Sequence, residues 1–295
     1  MIMNRPLVSI ITVNYKQAKV TCELLDSIQK LNYPNLEVIV VDNSQIGDDT
    51  GLYRQSYDKV KVINVKENLG FAGGNNVGIK QANGDYLFLL NNDTEIKNGT
   101  IETLLDCFIS PNIAAISPVI KYYDAPDKIQ FAGFTEINTI TGRNELIHSK
   151  PENCKTLSSP YFHGAAVMIP KFVIDQCGLM PENYFLYYEE LDWSRRFVDR
   201  GFEILVCLEA EILHKESIST GKNSPLKVYY QTRNRIHFMN SQRKSSLPFL
   251  SFFILFSAPK NIMTHLFKSE FKHLKAFCKG FWDGLVLRKA GFQKI

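Results

Sequence analysis

The sequence predicts an α/β protein built on a Rossmann-like, mostly parallel central sheet flanked by helices, with a basic helical appendage at its C-terminal end. Three observations predict it. Tyr86–Leu90 is an unbroken apolar run, as expected of a strand covered on both faces. The run stops abruptly at Asn91-Asn92-Asp93, which puts amides and a carboxylate at the carboxyl end of a strand, where open α/β sheets bind ligands. Upstream of it, β-branched runs alternate with segments of helical period, the βαβ order of a parallel sheet with right-handed crossovers.

In chain order, Val8–Asn14 is a β-branched strand with a polar end, and Val20–Leu31 carries Leu24, Leu25, Ile28 and Leu31 at helical spacing. Leu36–Asp42 is a second strand, ending in an acid. Thr50–Tyr57 reads as a helix, Val60–Val65 as a third strand and Gly74–Ala82 as a helix with little apolar surface. Residues 97–110 predict another helix and Ala114–Pro118 a short strand. The stretch 120–160, rich in Asn, Asp, Thr and Pro, reads as an insertion or lid. Tyr161–Ile169 reads as a strand in which Gly164 marks a close backbone approach. Phe172–Gly178 predicts a short helix, and a further helix starts near Glu189. Strand pieces at Ile204–Cys207 and Glu211–Leu213 then lead to His214. No repeat or low-complexity linker is visible. The boundary falls near 215–225, dividing a catalytic domain over 1–220 from a helical region over 221–295.

With 295 residues and 45% hydrophobic composition, the chain suits one large domain plus an appendage. Six cysteines without a Cys-x-x-Cys pair disfavour a zinc site or disulfide framework and suit a reducing cytosol. Met1–Pro6 leads directly into a strand, so no signal peptide is expected. The net charge of +4 conceals an asymmetry: residues 1–214 hold 19 Lys and Arg against 27 Asp and Glu, net −8, whereas 215–295 hold 15 against 3, net +12. Such a tail calls for an anionic partner. Leu247–Ala258 is uncharged and rich in Phe and Leu, between Arg243-Lys244 and Lys260. It is shorter than the ~20 residues of a bilayer span and suits a segment seated among anionic headgroups. The competing expectation is that it packs on the main domain or in a homodimer. No Ser/Arg-rich or Gly/Arg-rich tract supports nucleic acid. The expected location is the cytoplasm, peripheral on the inner face of the plasma membrane.

Four segments carry candidate chemistry. Asp93 is a hard, short anion suited to Mg²⁺ or Mn²⁺ on a nucleoside diphosphate; Asn-Asn-Asp is equally good turn chemistry. Asp42, followed by Asn43, ends the second strand, where an acid can bond a base or ribose or cap a turn. Gly73 and Gly74 are placed ahead of a short helix, so that their amides could meet an anionic or sugar ligand; neither a dinucleotide fingerprint nor a P-loop is present. In Phe185–Phe197, three carboxylates crowd Glu189-Glu190-Leu191-Asp192. They gain from the helix dipole, or Glu190 is a general base whose pKa is raised by aromatic surroundings and like charge, with Arg196 pairing Asp192 one turn on. His214 at a strand end could complete a metal shell.

Val8–Tyr15, Val41–Asn43, Asn68–Asn75, Leu89–Asp93, Gly164-Ala165, Glu189–Asp192, His214 and Tyr229–Asn234, in this order, resemble glycosyltransferase family 2 and its rhamnosyltransferase-like branch. The resemblance implies a GT-A fold, a nucleotide-sugar donor with dTDP-rhamnose as first guess, Mg²⁺ or Mn²⁺, inversion at the anomeric carbon, and a glycan or lipid-linked glycan acceptor. It implies that Asp42 contacts the nucleoside, with Asn14, Asn43, Asn68, Gly73, Gly74 and Asn92 around the donor. Asp93 and His214 would hold metal. Glu190 would be the base, beside Glu189 and Asp192, with Gly164, Trp193 and Arg196 as acceptor-side or structural support. The choice of sugar and acceptor would rest on pocket shape in the 120–160 stretch and around Phe162-His163. Two positions depart from the family pattern. Asn91 replaces the first acid of Asp-x-Asp, lowering the charge offered to a metal. Glu189-Glu190 replaces the usual Glu-Asp, which leaves open which carboxylate is the base. The rival readings are a fold-retaining carbohydrate-binding or scaffold protein and, lacking a Gly-rich loop after the first strand, a sugar-phosphate nucleotidyltransferase.

Overall fold

Ten strands join in one sheet in the computed structural model, which describes residues 5–44, 47–215, 224–242 and 246–286. The start of the chain at Met1–Asn4, most of the expected domain boundary (216–223) and the Arg243-Lys244 flank lie outside the described residues. Strands β1 (Val8–Asn14), β2 (Leu36–Asp42), β3 (Lys61–Asn64) and β4 (Tyr86–Leu90) lie in the order β3-β2-β1-β4, all parallel. Their side chains alternate between two helix-covered faces. Val8, Ile10, Val38 and Val40 meet Leu24, Leu25 and Ile28 of α1 (Ala18–Gln29) and Tyr53 of α2 (Thr50–Ser56). Ile11, Ile39 and Val41 meet Ala72 and Ile79 of α3 (Gly70–Gln81). Double coverage explains the continuous apolar runs.

Beyond β4 come β5 (Thr94–Ile96), α4 (Thr100–Asp106), β6 (Ile113–Tyr122), β7 (Ala125–Phe131), β8 (Thr156–Ser158), β9 (Ala166–Pro170), α5 (Lys171–Cys177), α6 (Glu189–Val198) and β10 (Glu203–His214). Here the sheet turns mixed: β9 is antiparallel to β4 and β6, and β10 is parallel to β6. Strands β1, β2, β4, β6 and β10 therefore run the same way and share one carboxyl edge. His214, the last residue of β10, pairs with Thr94, next to Asp93.

Several local expectations are corrected. Helix α3 starts at Gly70, not Gly74, because Asn68 Oδ1 accepts from the Gly70 amide (2.9 Å) and the Phe185 carbonyl from the Phe71 amide (2.8 Å). Gly73 and Gly74 therefore lie inside the helix. A Cβ on Gly74 would come 2.7 Å from Val13 Cγ1, so this glycine serves close helix–strand packing. The helix expected at 97–110 spans only Thr100–Asp106. The stretch 120–160 is not a detached insertion, since β7 pairs with β6 and β8 with β10. Gly164 precedes β9 in a turn, and a Cβ there would touch only Phe71, at 3.8 Å; no close backbone approach requires it.

The C-terminal layer comprises α7 (Pro225–Ser241), α8 (Ser246–Phe252), a π-helical turn (Phe253–Ser257), α9 (Ala258–Phe267) and α10 (Phe271–Val286). Gly280 and Gly284 let α10 meet α7: a Cβ at either would fall 2.6 Å from Tyr229 O or 2.9 Å from Arg233 O. The apolar segment at 247–258 is part of a 22-residue helical run, Ser246–Phe267, long and apolar enough to cross a membrane by length and composition alone. It has two faces. Phe249 and Phe253 are buried with Tyr184, Leu191, Ile236 and Phe277 in a third core, whereas Leu255, Phe256 and Phe267 are exposed.

Candidate active site

A strained loop presents the carboxylates. Phe185, Tyr187 and Tyr188 have φ of 67°, 68° and 76°, a region costly for aromatic residues. Fully buried Asn234 of α7 holds them, the two N–H groups of its Nδ2 shared among the carbonyls of Tyr184 (3.0 Å), Leu186 (2.7 Å) and Tyr187 (2.8 Å). Glu189 and Glu190 follow at once in the first turn of α6. Burial, and then the neighbouring Glu190, raise the Glu189 pKa well above the carboxylate range, and its Oε2 has no hydrogen-bond partner. Burial lifts Glu190 to about 7. Burial disfavours the charged form of Glu189, and Glu190 is poised to exchange a proton near neutral pH, the tuning a general base needs.

Glu190 stands between two cavities. The first, about 490 Å³, lies on the carboxyl edge of the sheet and is lined by Asn43, Asn68, Asn92, Asp93, Gly164, Glu189 and His214 among others. The second, about 450 Å³, lies under the C-terminal layer and shares Phe134, Tyr187, Glu190 and Gln231 with the first.

Asp93 and His214 approach at 3.2 Å between Oδ1 and Nε2, both nearly buried. His214 Nδ1 lies 2.9 Å from Gln130 Oε1. With the amide oxygen so oriented, Nδ1 carries the proton and Nε2 presents a lone pair to a carboxylate oxygen that has no hydrogen-bond partner. Two facing acceptors fit a divalent cation. Among the described residues no group of three His, Cys, Asp or Glu is gathered for a metal, so further ligands would come from a diphosphate and water, as Mg²⁺ sites commonly use.

Residues 9–178 match the family model for glycosyl transferase family 2. The chain belongs to that family. It is 30% identical over 248 residues (79% of this chain, 75% of the relative) to the low-salt glycan biosynthesis hexosyltransferase Agl10 of Haloferax volcanii. It is 25% identical over 237 residues (76% of each) to the dTDP-rhamnosyl transferase RfbF of Shigella flexneri. Its fold matches the mannosyltransferase PcManGT of Pyrobaculum calidifontis, solved with GDP-Man and Mn²⁺, at a TM-score of 0.61 and 13% identity, over 97% of this chain and 89% of that one. The fold is GT-A, as expected.

Several residues named from the sequence line neither cavity. Asn14 is fully buried, donating to Ser44 Oγ (2.9 Å) and accepting from Thr21 Oγ1 (3.0 Å). Asp42 accepts from Tyr53 Oη (2.6 Å) and the Ser44 amide (2.8 Å). Neither lines the edge cavity, nor do Gly73 and Gly74; strand-end polarity does not say whether a group faces ligand or supports the next loop. Asp192 accepts from Tyr184 Oη and Arg196 Nε, both at 2.8 Å, outside both cavities. The pairing of Arg196 with Asp192 is as expected. Trp193 is buried and donates to Gly178 O (3.0 Å).

Four other lining residues, Gln130, Tyr187, Lys227 and Gln231, are ones that sequence reasoning missed. Gln130 sits in the stretch that reads as irregular and carries no signal. His163, expected to shape the pocket, lines the edge cavity. Burial, then His214, push its pKa down to about 3, and its Nδ1 accepts from the Ala165 amide (3.1 Å).

Proposed function

We propose that the protein is a metal-dependent, inverting hexosyltransferase that moves a sugar from a nucleotide-sugar to a hydroxyl of a growing cell-surface glycan, with dTDP-rhamnose the first donor to test. The position of Glu190 between two cavities carries this reading. One cavity has the polar strand ends suited to a nucleotide diphosphate; the other is a separate chamber for a second substrate. The rhamnosyl relative supports the donor choice.

In this mechanism the acceptor hydroxyl enters from the helical side and gives its proton to the Glu190 carboxylate. Its oxygen bonds the anomeric carbon as the bond to the diphosphate oxygen breaks on the opposite face. A single displacement of this kind inverts the centre. Burial disfavours a second negative charge at Glu189, beside the base. Lys227 lines the donor cavity and supplies positive charge toward the diphosphate. Asp93 and His214 would hold Mg²⁺ or Mn²⁺, which supplies Lewis-acid neutralisation of the leaving group when bound.

We further place the enzyme in the cytoplasm on the inner face of the plasma membrane. Leu255, Phe256, Phe267, Phe271 and Trp282 are exposed on helices that, with the turn joining them, also expose Lys260, Lys268, Lys272, Lys275 and Lys279. This pairing suits an anionic bilayer surface.

A panel of nucleotide-sugars with Mg²⁺ or Mn²⁺, read by thermal stabilisation and donor turnover, tests the activity. A ligand at a hundred times its Kd adds ~2.7 kcal/mol. Binding without turnover across donors and acceptors would favour the binding-module reading; no stabilisation by any donor would overturn the proposal.

A further inference from the structure

We propose that the second cavity is an oxyanion site in which Arg235 and Arg143 hold a phosphate group carried by the acceptor; this rests on the transferase reading above.

Arg235 projects from α7 and is only 7% exposed. Its guanidinium lies over the rings of Phe249 and Phe253, 5.5 and 5.0 Å from their centroids, and donates to the Thr141 carbonyl. Its Nε is buried without a hydrogen-bond partner. A guanidinium taken out of water is costly unless an anion and hydrogen bonds compensate it. Among the described residues no carboxylate pairs with Arg235 or with Arg143, which lines the same cavity and is exposed. Burial, and the positive charge of Arg143, push Arg235 down to about 10, still a cation at neutral pH.

A further donor points the same way. Asn144 Nδ2, from the same lining, is buried and has no partner. His265, on α9, is already paired with Glu270 at 2.9 Å. Glu190 is the single carboxylate among the described lining residues. The cavity thus has surplus positive charge and unused N–H donors, with the proposed base on its border. Thr232, Gln231 and Asn261 also line the cavity and suit sugar hydroxyls, whereas the two guanidinium groups and the free amide, supplied from α7 and from Arg143-Asn144, suit an oxyanion such as a tetrahedral phosphate.

The test is calorimetric titration of the full chain with inorganic pyrophosphate in EDTA, where metal-dependent binding at Asp93 is silent. One site is expected, weakened at least ten-fold by Arg143→Gln and by Arg235→Gln, and unchanged by Asp93→Asn. Arg235 also packs on the core, so if Arg235→Gln fails to fold, the variant at the exposed Arg143 decides. Absence of binding, or binding indifferent to Arg143→Gln, overturns the site. Farnesyl diphosphate identifies the source of the anion. A gain of ten-fold or more over pyrophosphate means a lipid-linked diphosphate, and equal affinity means a phosphate on the glycan itself; either keeps the site. A donor panel that fails while pyrophosphate still binds through Arg143 would sink the transferase reading and leave the anion site standing.

Discussion

The carboxyl edge of the sheet and the helical layer over it are built from opposite materials. The edge belongs to the part of the chain with net charge −8, and its side chains are fixed by strand register, as where His214 meets Thr94 beside Asp93. The layer belongs to the part with net charge +12; it is held by glycine contacts between α7 and α10 and leaves large apolar residues in solvent. The family match spans 9–178 and stops before α6. The carboxylates of α6 and the chamber beyond them lie outside that span, although the alignments with individual relatives, over 79% and 76% of this chain, extend past residue 178.

The largest effect that tests this division lies on the border. Glu190→Gln should cut turnover by ~10²–10⁴, the range for a general base, and leave donor binding in place, as measured by steady-state kinetics and calorimetry. Turnover of the native enzyme should rise with pH up to about 7. Glu189→Gln should cost far less, since burial disfavours the charged form of that group; the opposite ranking would exchange their roles. The same Glu190→Gln change should stabilise the fold at pH 8. The native carboxyl binds its proton more tightly than the unfolded one, so stability falls as pH rises from the ordinary carboxylate range to about 7. The cost is complete above that pH and absent at pH 4. Equal melting temperatures for variant and native protein at pH 8 would contradict the raised pKa.

On the donor side, Asp93→Asn should lower transfer by roughly 10²–10³, a loss of several kcal/mol of charge stabilisation, and should weaken metal-dependent donor binding. Native-like turnover of the variant at limiting Mg²⁺ or Mn²⁺ would remove Asp93 from the metal site.

A smaller effect should come from the joint between the halves. Asn234→Ala deletes the donor that holds three carbonyls of the strained loop. It should cost about 2 kcal/mol of stability, at ~1 kcal/mol for each of its two N–H donors, and lower kcat more than the donor KM. A donor KM that rises while kcat holds would show that the loop serves the donor instead.

What is legible in the sequence follows from the same division. β1, β2 and β4 can be read nearly to the residue because their β-branched runs end in polar groups, and Asp93, Glu189, Glu190 and His214 can be named because strand ends and an acid cluster are visible in one dimension. Asn14 and Asp42 look like the others in one dimension, yet the Asn14 amide bonds Ser44 and Thr21 and the Asp42 carboxylate accepts from Ser44 and Tyr53, partners set by tertiary packing. Gly73 and Gly74 look like an anion loop because the helix start at Gly70 is fixed in part by the carbonyl of Phe185, which lies far along the chain. Arg235 is illegible as a site residue, since it becomes one only when Phe249 and Phe253 fold under it.

The smallest expected effect separates the two faces of the helical layer. Phe253 is buried and Phe256 is 63% exposed, so the two should respond differently to the same change. Phe253→Asp should unfold the third core, whereas Phe256→Asp and Phe267→Asp should leave the melting temperature unchanged and weaken binding to anionic vesicles. Attraction is worth roughly 1 kcal/mol per basic residue near the surface, and exposed Phe and Leu add insertion free energy. Flotation with anionic vesicles at low salt should carry the native protein upward, and high salt should release most of it. A folded protein that stays in solution at low salt would reject the membrane face. Retention through high salt and alkaline extraction would show instead that Ser246–Phe267, which has the length of a span, crosses the bilayer, and the acceptor chamber beside it would then open within the lipid headgroups.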